Sequence, residues 1–205
     1  MAFIMPRVGT IATNATARPG GVLSSPVKPC TAGGGGDGYP LLDAVMRVLE
    51  AEPDPPFKAV FVTGPFMPQS ERQDLARRAR RTTARFHHFF RRMERLFDAA
   101  DAVVSMGGYN TVCEILSLGK PCLIVPRETP RLEQRIRAEV LHRQGLVDYI
   151  PWHELEPGRL RARILNLLKR PEPYQDAIRS FEMTGIAVMR ERLRVYRVEK
   201  RERRS

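Results

Sequence analysis

Short apolar runs alternate with longer amphipathic stretches over most of the chain, and each pattern predicts its own secondary structure. Residues 57–63 (FKAVFVT) are apolar and rich in β-branched side chains, which predicts a buried strand. Further strands are predicted at 27–31, 82–89, 102–105, 121–125 and 147–150. Helices are predicted in the intervening segments, at 40–51, 69–81, 90–99, 107–118, 131–144 and 156–169.

The alternation of strands and helices predicts a parallel sheet with helices on both faces. The expected fold class is therefore α/β, a single Rossmann-like domain over residues 27–170 with about six strands. Ligands of such sheets bind beyond the carboxyl ends of the strands. In the first strand, Pro26 and Pro29 remove ladder donors, so we expect an edge strand or one that is only partly formed.

The two ends of the chain differ from this domain. Residues 1–26 are rich in Gly, Ala, Thr, Pro and Ser without periodicity, which predicts an irregular lead-in. Residues 171–205 predict a C-terminal helix, over about 174–188, and a basic tail. No apolar run approaches the roughly 18–20 residues that span a bilayer, and no signal-peptide pattern opens the chain. We therefore expect a cytoplasmic protein.

The net charge of +11 comes mostly from arginine, with clusters at 77–81, 91–95 and from 190 to the end. Such a balance predicts anionic partners: nucleic acid, acidic lipid or phosphorylated ligands. The alternative is that the middle clusters are solvated helix faces. A nucleic-acid-binding protein lacks support from any recognition helix, zinc site or aromatic-basic RNA motif. The tail could meet anionic lipid, which would give a peripheral contact with a membrane.

Three loops that follow predicted strands carry candidate chemistry. The first is the glycine run at 33–38 (GGGGDG), which lets the backbone approach a ligand closely. The helix behind it offers unpaired N–H groups to an anion. The run lacks the lysine and spacing of a P-loop, and the GxGxxG phasing. A flexible, low-complexity linker is the alternative interpretation.

The second loop, residues 105–111 (SMGGYNT), also joins a strand to a helix and repeats the anion-binding geometry. Asn110 and Thr111 can supply side-chain hydrogen bonds. Glu114 follows one turn later, where a carboxylate suits the two hydroxyls of a ribose. The T-x-x-E spacing of Thr111 and Glu114 fits a helix capping box equally well. The sequence leaves both interpretations open.

The third loop, residues 126–134, places Glu133 and Gln134 in the first turn of a helix. Adjacent carboxylate and amide groups form directional hydrogen bonds that could recognise sugar hydroxyls. The alternative is that Glu133 only favours the positive end of the helix dipole and that Gln134 is simply exposed.

Residues 100–138 combine three motifs: AD-x-V-V-x-x-x-G-x-x-T-x-x-E, then G-x-P-x-x-x-V-P, then E/Q-Q-x-x-x-A. Together they resemble the C-terminal, donor-binding domain of GT-B glycosyltransferases, most closely that of family 28. A looser likeness covers residues 27–169. The resemblance implies one half of a GT-B fold that binds a UDP-sugar, whose hexosyl group is transferred to an acceptor.

The resemblance also implies roles for residues that match the family pattern. Glu114 looks like the carboxylate that binds the ribose hydroxyls. In the family one loop meets the diphosphate of the donor. The residues of this chain that look like that loop are Gly107, Gly108, Asn110 and Thr111.

Further roles follow from the other two loops and from the third strand. Glu133 and Gln134 look like the pair that recognises the donor sugar. Phe89 and Phe90 occupy the strand end where the family holds the uracil ring. Beside the diphosphate and the acceptor cleft the resemblance places three glycines: Gly35, Gly36 and Gly64. Such enzymes need no bound metal or cofactor, because loop N–H groups stabilise the leaving diphosphate of the donor.

Complete members of the family carry an N-terminal domain that holds the acceptor, and residues 1–26 are too few to form one. We therefore expect the acceptor-binding half to be missing or to lie on a partner chain, as in the two-chain N-acetylglucosaminyltransferases of dolichol-linked glycan synthesis. The lone chain is then expected to be inactive. The alternative is a non-catalytic UDP-sugar-binding or interaction module. No residue stands out as the catalytic base.

Overall fold

The computed structural model describes the backbone of residues 27–31, and residues 36–129 and 132–184. Three sequence predictions lie outside these described residues. They are the irregular lead-in at 1–26, the part of the glycine run that contains Gly35, and the basic tail from 190 onward.

Strands and helices alternate along the described chain, as the sequence predicts. The strands are β1 Val27–Thr31, β2 Lys58–Val62, β3 Arg85–His87, β4 Val103–Ser105, β5 Cys122–Ile124 and β6 Asp148–Tyr149. The helices that follow them in turn are α1 Tyr39–Glu50, α2 Gln69–Ala79, α3 Met93–Asp98, α4 Tyr109–Ser117, α5 Glu133–Arg143, α6 Pro157–Lys169 and α7 Glu172–Ser180. A short 3-10 turn at Trp152–Glu154, which the sequence pattern did not predict, precedes α6.

The six strands form one sheet in the order β3-β2-β1-β4-β5-β6, and every neighbouring pair is parallel. The predicted α/β, Rossmann-like class is confirmed. The chain runs outward from β1 through β2 and β3, and then returns to the other side of β1 with β4. This reversal creates a topological switch point between β1 and β4, where α/β sheets bind their ligands.

The expectation that β1 is an edge strand is wrong. β1 lies inside the sheet and pairs with β2 along all five of its residues. Its ladder with β4 is limited to Cys30 and Thr31. Pro29 precedes this short ladder, so its missing N–H group does not interrupt the pairing with β4.

The helices pack on the sheet through apolar faces. α1 shows this most clearly, because its apolar side chains recur every three or four residues and form a buried face. α1 packs against α2 and α6, and α3 packs against α4. Since crossovers between parallel strands are right-handed, these two groups lie on opposite faces of the sheet. The largest side chains in the core are Phe57, Phe61 and Phe97.

The predicted helix α5 is confirmed, but of the apolar residues whose helical spacing predicts it, Leu132, Ile136, Val140 and Leu141, only Leu141 is buried. Ala138 is buried as well, whereas the other three are exposed. A spacing of four residues places side chains in one row of a helix without deciding which row faces the sheet. None of the described helices combines the length with the apolar composition that crossing a bilayer requires.

Candidate functional site

Because the six strands are parallel, the loops that follow them lie at one edge of the sheet, which we call the rim. The rim contains the described residues between each strand and the helix after it. The loops after β1 and β4 flank the switch point, so the crevice of the fold lies between them. The described candidate residues lie in the rim or in the first two turns of α4 and α5.

The loop after β4 has a conformation that glycine alone tolerates at position 107. Gly107 has a φ of +76°, and a Cβ atom on it would lie 2.7 Å from Cγ2 of Ile124. The Gly107 N–H donates a hydrogen bond to Oγ of the buried Ser105 at 3.1 Å. The loop is therefore fixed from inside at Gly107, which is buried, and the chain becomes partly exposed at Gly108.

The N-terminus of α4 follows this loop directly and has no side-chain cap. Gly108 is its N-cap residue, and the first helical hydrogen bond runs from the Val112 N–H to the Gly108 carbonyl at 2.9 Å. The N–H groups of residues 109–111 therefore have no partner within the helix. Together with the helix dipole, these N–H groups make the loop suitable for an anionic ligand.

The capping-box interpretation of Thr111 and Glu114 is wrong. Thr111 is the third residue of α4 and is buried, so it does not cap the helix. Glu114 is exposed, and its carboxylate accepts no hydrogen bond from the part of the chain that the structure describes. Asn110, four residues earlier, is exposed on the same face of α4. An amide and a carboxylate are thus presented to solvent together.

Two contacts tie the loop after β5 to the rest of the rim. Oε1 of Gln134 accepts a hydrogen bond from the Arg127 N–H at 3.3 Å, which leaves the amide NH2 group able to donate. The Arg127 guanidinium forms an ion pair with Asp37, in the loop after β1. The loops after β1 and β5 are therefore connected. Glu133, the first residue of α5, is exposed.

A second arginine ties α5 to the loop after β4. Nη1 of Arg137 donates a hydrogen bond to the Gly107 carbonyl at 2.8 Å. Its guanidinium carbon lies 5.5 Å from the centre of the Tyr109 ring, a cation–π contact. Arg137 was not among the residues predicted from the sequence, because it lies outside the clusters of charge along the chain. The available signal was its position one helical turn after Glu133 and Gln134.

The ends of β2 and β3 form the other side of the rim. The N–H groups of Thr63 and Gly64 donate to the carbonyls of His87 and His88 at 3.2 and 3.1 Å. Gly64 has a φ of 80°, which turns the chain at the end of β2. These backbone bonds continue the β2–β3 ladder beyond the strands and make this part of the rim rigid.

The two aromatic residues at the end of β3 have different surroundings. Phe89 is 54% exposed, whereas Phe90 packs against the core and its ring meets that of His87 edge-on at 5.5 Å. Burial, and then the charge of Arg85, lower the pKa of His87, which favours the neutral imidazole. Phe89 is therefore the aromatic side chain that a ligand here could contact, while His87 belongs to the packing.

The loop after β1 is described from Gly36 onward, so Gly35 lies outside the described residues. A Cβ atom on Gly36 would lie 4.0 Å from the Phe66 carbonyl oxygen, which is an ordinary contact. The loops after β1 and β2 therefore meet at this point. A side chain would fit at Gly36, in contrast to Gly107.

Comparison with solved structures identifies the fold. The fold matches the calicheamicin glycosyltransferase CalG4 with a TM-score of 0.61 and 20% identity, over 93% of this chain and 48% of that one. It matches MurG from Acinetobacter baumannii with a TM-score of 0.60 and 18% identity, over 76% of this chain and 45% of that one. The fold is therefore that of one half of a GT-B glycosyltransferase.

The sequence then identifies the family. The profile of the glycosyltransferase family 28 C-terminal domain matches residues 33–192, and the chain belongs to this family. A curated relative from Methylobacterium sp. (strain 4-46), UDP-N-acetylglucosamine--N-acetylmuramyl-(pentapeptide) pyrophosphoryl-undecaprenol N-acetylglucosamine transferase, is 30% identical over 173 residues. The alignment covers 81% of this chain and 46% of the relative. The chain thus spans less than half of that relative's length. The family match confirms the resemblance to family 28.

Proposed function

We propose that this chain is the donor-binding domain of a glycosyltransferase, that its rim binds a UDP-sugar, and that an acceptor-binding half on another domain or chain completes the enzyme. Membership of family 28 supports the donor role. The Methylobacterium relative is named for UDP-N-acetylglucosamine and for N-acetylglucosamine transfer, which supports a uridine diphosphate donor that carries a hexosyl group. That the site needs no metal, and that the protein is cytoplasmic, remain predictions from the sequence.

The observation that carries the proposal is the uncapped N-terminus of α4 behind Gly107 and Gly108. It offers N–H groups to an anion, and the exposed Asn110 and Glu114 extend along the same helix. Four residues of helix span about 6 Å. That distance is comparable to the separation of a diphosphate from the ribose hydroxyls of one nucleotide, so a single ligand can meet the N–H groups and the Glu114 carboxylate.

The arrangement fits the departure of a nucleoside diphosphate. When an acceptor oxygen attacks the sugar, the bond from the anomeric carbon to the diphosphate breaks and its electron pair passes to the diphosphate oxygen. Fixed N–H groups at a helix end stabilise that negative charge without rearranging. The proton of the acceptor must pass to a base, and we propose that the acceptor-binding half supplies that base.

The test is titration calorimetry of the chain with UDP, UMP, uridine, ADP and UDP-N-acetylglucosamine. We expect UDP to bind and to raise the melting temperature, because a ligand of the folded state stabilises it. Glu114→Gln should weaken UDP and uridine by about tenfold, because hydrogen bonds to a charged group contribute about 1.5–3 kcal/mol. Absence of UDP binding at millimolar concentration would contradict the proposal.

Glu133→Gln is the matched control, because both variants remove one exposed carboxylate from the first two turns of a rim helix. If Glu133 recognises the sugar, this variant should weaken UDP-N-acetylglucosamine and leave UDP unchanged. Equal losses of UDP affinity in both variants would show that only the lost negative charge matters, and would remove the ribose role of Glu114.

A non-catalytic UDP-sugar-binding module is the second candidate. It shares with the first candidate the rim that would hold the UDP-sugar, and it differs in supporting no transfer. Both candidates predict UDP binding, so affinity does not separate them. Transfer of labelled sugar by the chain together with a co-expressed acceptor-binding partner would support the enzyme. A chain that binds UDP-sugar and supports no transfer with any such partner would be a binding module.

A further inference from the structure

Arg137, in the second turn of α5, contacts the loop after β4 and forms no ion pair with the part of the chain that the structure describes. Its guanidinium contacts a carbonyl and an aromatic ring, but no carboxylate lies within ion-pair distance. Arg127, the arginine of the loop after β5, is by contrast paired with Asp37. A half-buried cation without a counter-ion at the mouth of a crevice is a candidate for binding an external anion.

The hydrogen bond from Arg137 to the Gly107 carbonyl also orients the backbone of the loop. The Gly107 carbonyl is the negative end of a peptide dipole and lies in the loop whose N–H groups face the rim. A carbonyl pointing towards a bound diphosphate would repel it. By donating to this oxygen, Arg137 holds it on the side of α5 and thereby fixes the orientation of the Gly107–Gly108 peptide, whose N–H group points the opposite way from the carbonyl.

Arginine suits both tasks at once. A guanidinium has five N–H donors in a fixed plane, of which one is used by the Gly107 carbonyl. The remaining donors are held in place because the plane also contacts the Tyr109 ring. Lysine could supply the charge, but its single ammonium could not hold the carbonyl, contact the ring and pair with a phosphate in the same geometry.

We infer that Arg137 binds the diphosphate of the donor and positions the Gly107–Gly108 loop, so that the site selects a nucleoside diphosphate over a monophosphate or a nucleoside. This inference rests on the proposed function. It adds a cation to a site whose sequence motifs contain glycines, two amides and two carboxylates.

The experiment compares R137Q and R137K with R135Q in the full chain. Arg135 lies on the same helix but pairs with Glu139 and Glu128, so R135Q removes the same charge from a side chain that is already balanced. Affinities for UDP, UMP, uridine and inorganic pyrophosphate are measured by calorimetry, and the melting temperature of each variant is recorded. We expect R137Q to weaken UDP by at least about tenfold, with uridine unchanged, since charge-assisted bonds to phosphate are strong.

R137K should lie between the wild type and R137Q, and R135Q should bind UDP within about twofold of the wild type, because an exposed pair on a helix surface contributes little. Pyrophosphate should compete with UDP in the wild type and fail to do so in R137Q.

Two results would overturn the inference alone: UDP binding that R137Q retains, or a loss of UDP and uridine affinity in equal proportion. A wild-type chain that binds no UDP would overturn the proposed function, and the inference with it. Should R137Q fail to fold, R137K decides, and unchanged UDP affinity in R137K overturns the positioning role.

Discussion

Arg78 and Arg137 carry the same charge, but only one of them is neutralised by the protein. The Arg78 guanidinium, on α2, lies 2.6 Å from Asp43, 2.7 Å from Glu50 and 3.2 Å from Asp74. Its bond to Glu50 is the largest of the influences that hold the pKa of Arg78 above its ordinary value. Arg137 contacts a carbonyl and a ring instead.

This difference distinguishes an arginine that joins two helices from one that we propose binds a ligand, and the sequence alone does not make that distinction. Arg78 lies in the cluster at 77–81, and its carboxylate partners on α1 and α2 show that it joins two helices. Arg137 lies outside the three arginine clusters of the sequence, yet its position fits the anionic ligand that the net charge of +11 suggests. An arginine is therefore better judged by its partners than by its neighbours in sequence.

Gly107→Ala should have the largest effect, because it should displace the loop that Arg137 contacts and so reduce both stability and UDP binding. The new Cβ atom would lie 2.7 Å from Cγ2 of Ile124 at a φ of +76°, so the loop must move and the Gly107 carbonyl must leave Arg137. Overpacking together with the positive φ should lower the free energy of unfolding by about 3 kcal/mol. UDP binding should be lost. Chemical denaturation and calorimetry measure the two effects.

Gly119→Ala is the matched control for that prediction. Gly119 also has a positive φ, +64°, but an added Cβ atom would meet nothing within 4 Å. This variant should lose only about 1 kcal/mol of stability from the unfavourable φ and should bind UDP normally. If both alanine variants lost stability equally and both kept UDP binding, the close contact with Ile124 would have no functional meaning.

Arg78→Gln should produce the opposite pattern to R137Q. Its removal leaves Asp43, Glu50 and Asp74 close together without their shared partner, so the free energy of unfolding should fall by about 2 kcal/mol. UDP affinity should stay unchanged, because α2 contributes no candidate residue to the rim. A variant that kept its stability and lost UDP binding would reverse the roles that we give to the two arginines.

The sequence was a good guide wherever the signal was local. The apolar faces of α1 and α6 and the run in β2 predicted elements whose burial is confirmed. The sequence was a poor guide where the position or the buried face of an element depends on its neighbours in the fold. Pro29 marks a weak strand in isolation, but the position of β1 depends on β2 and β4, which come later in the chain. For the same reason the spacing in α5 predicted the helix but not its buried face, because Ile136 is exposed and Ala138 is buried.

The candidate site shows the same limit. Glycines and polar residues after strands could be predicted from the sequence, because strand ends and helix starts are local features. The contacts that connect the loops join residues far apart in the chain: Arg127 and Asp37 are separated by 90 residues, and Arg137 and Gly107 by 30. Pairings at such separations depend on the topology of the sheet. The motif also misled at Thr111, where T-x-x-E fits a capping box but the helix begins two residues earlier.

The smallest predicted effect is a dependence of stability on pH that arises from Asp74, one of the carboxylates paired with Arg78. Burial raises the pKa of Asp74, but its hydrogen bonds with Tyr39, Arg78 and Arg77 lower it more, so the pKa lies below its ordinary value of 3.8. A carboxylate with a depressed pKa contributes stability above that value and loses it as the pH falls through the pKa of the folded state. The free energy of unfolding of the wild type should therefore fall by about 1 kcal/mol or less because of this group, in the most acidic part of a titration from pH 7 to pH 2.5, since the network is partly exposed.

Asp74→Asn should lack this acid-dependent loss of stability, while the variant Asp54→Asn, at an exposed position, should retain it. Denaturation curves of the three proteins at each pH measure the difference, and parallel acid profiles for wild type and Asp74→Asn would show that Arg78 stabilises the helices without Asp74.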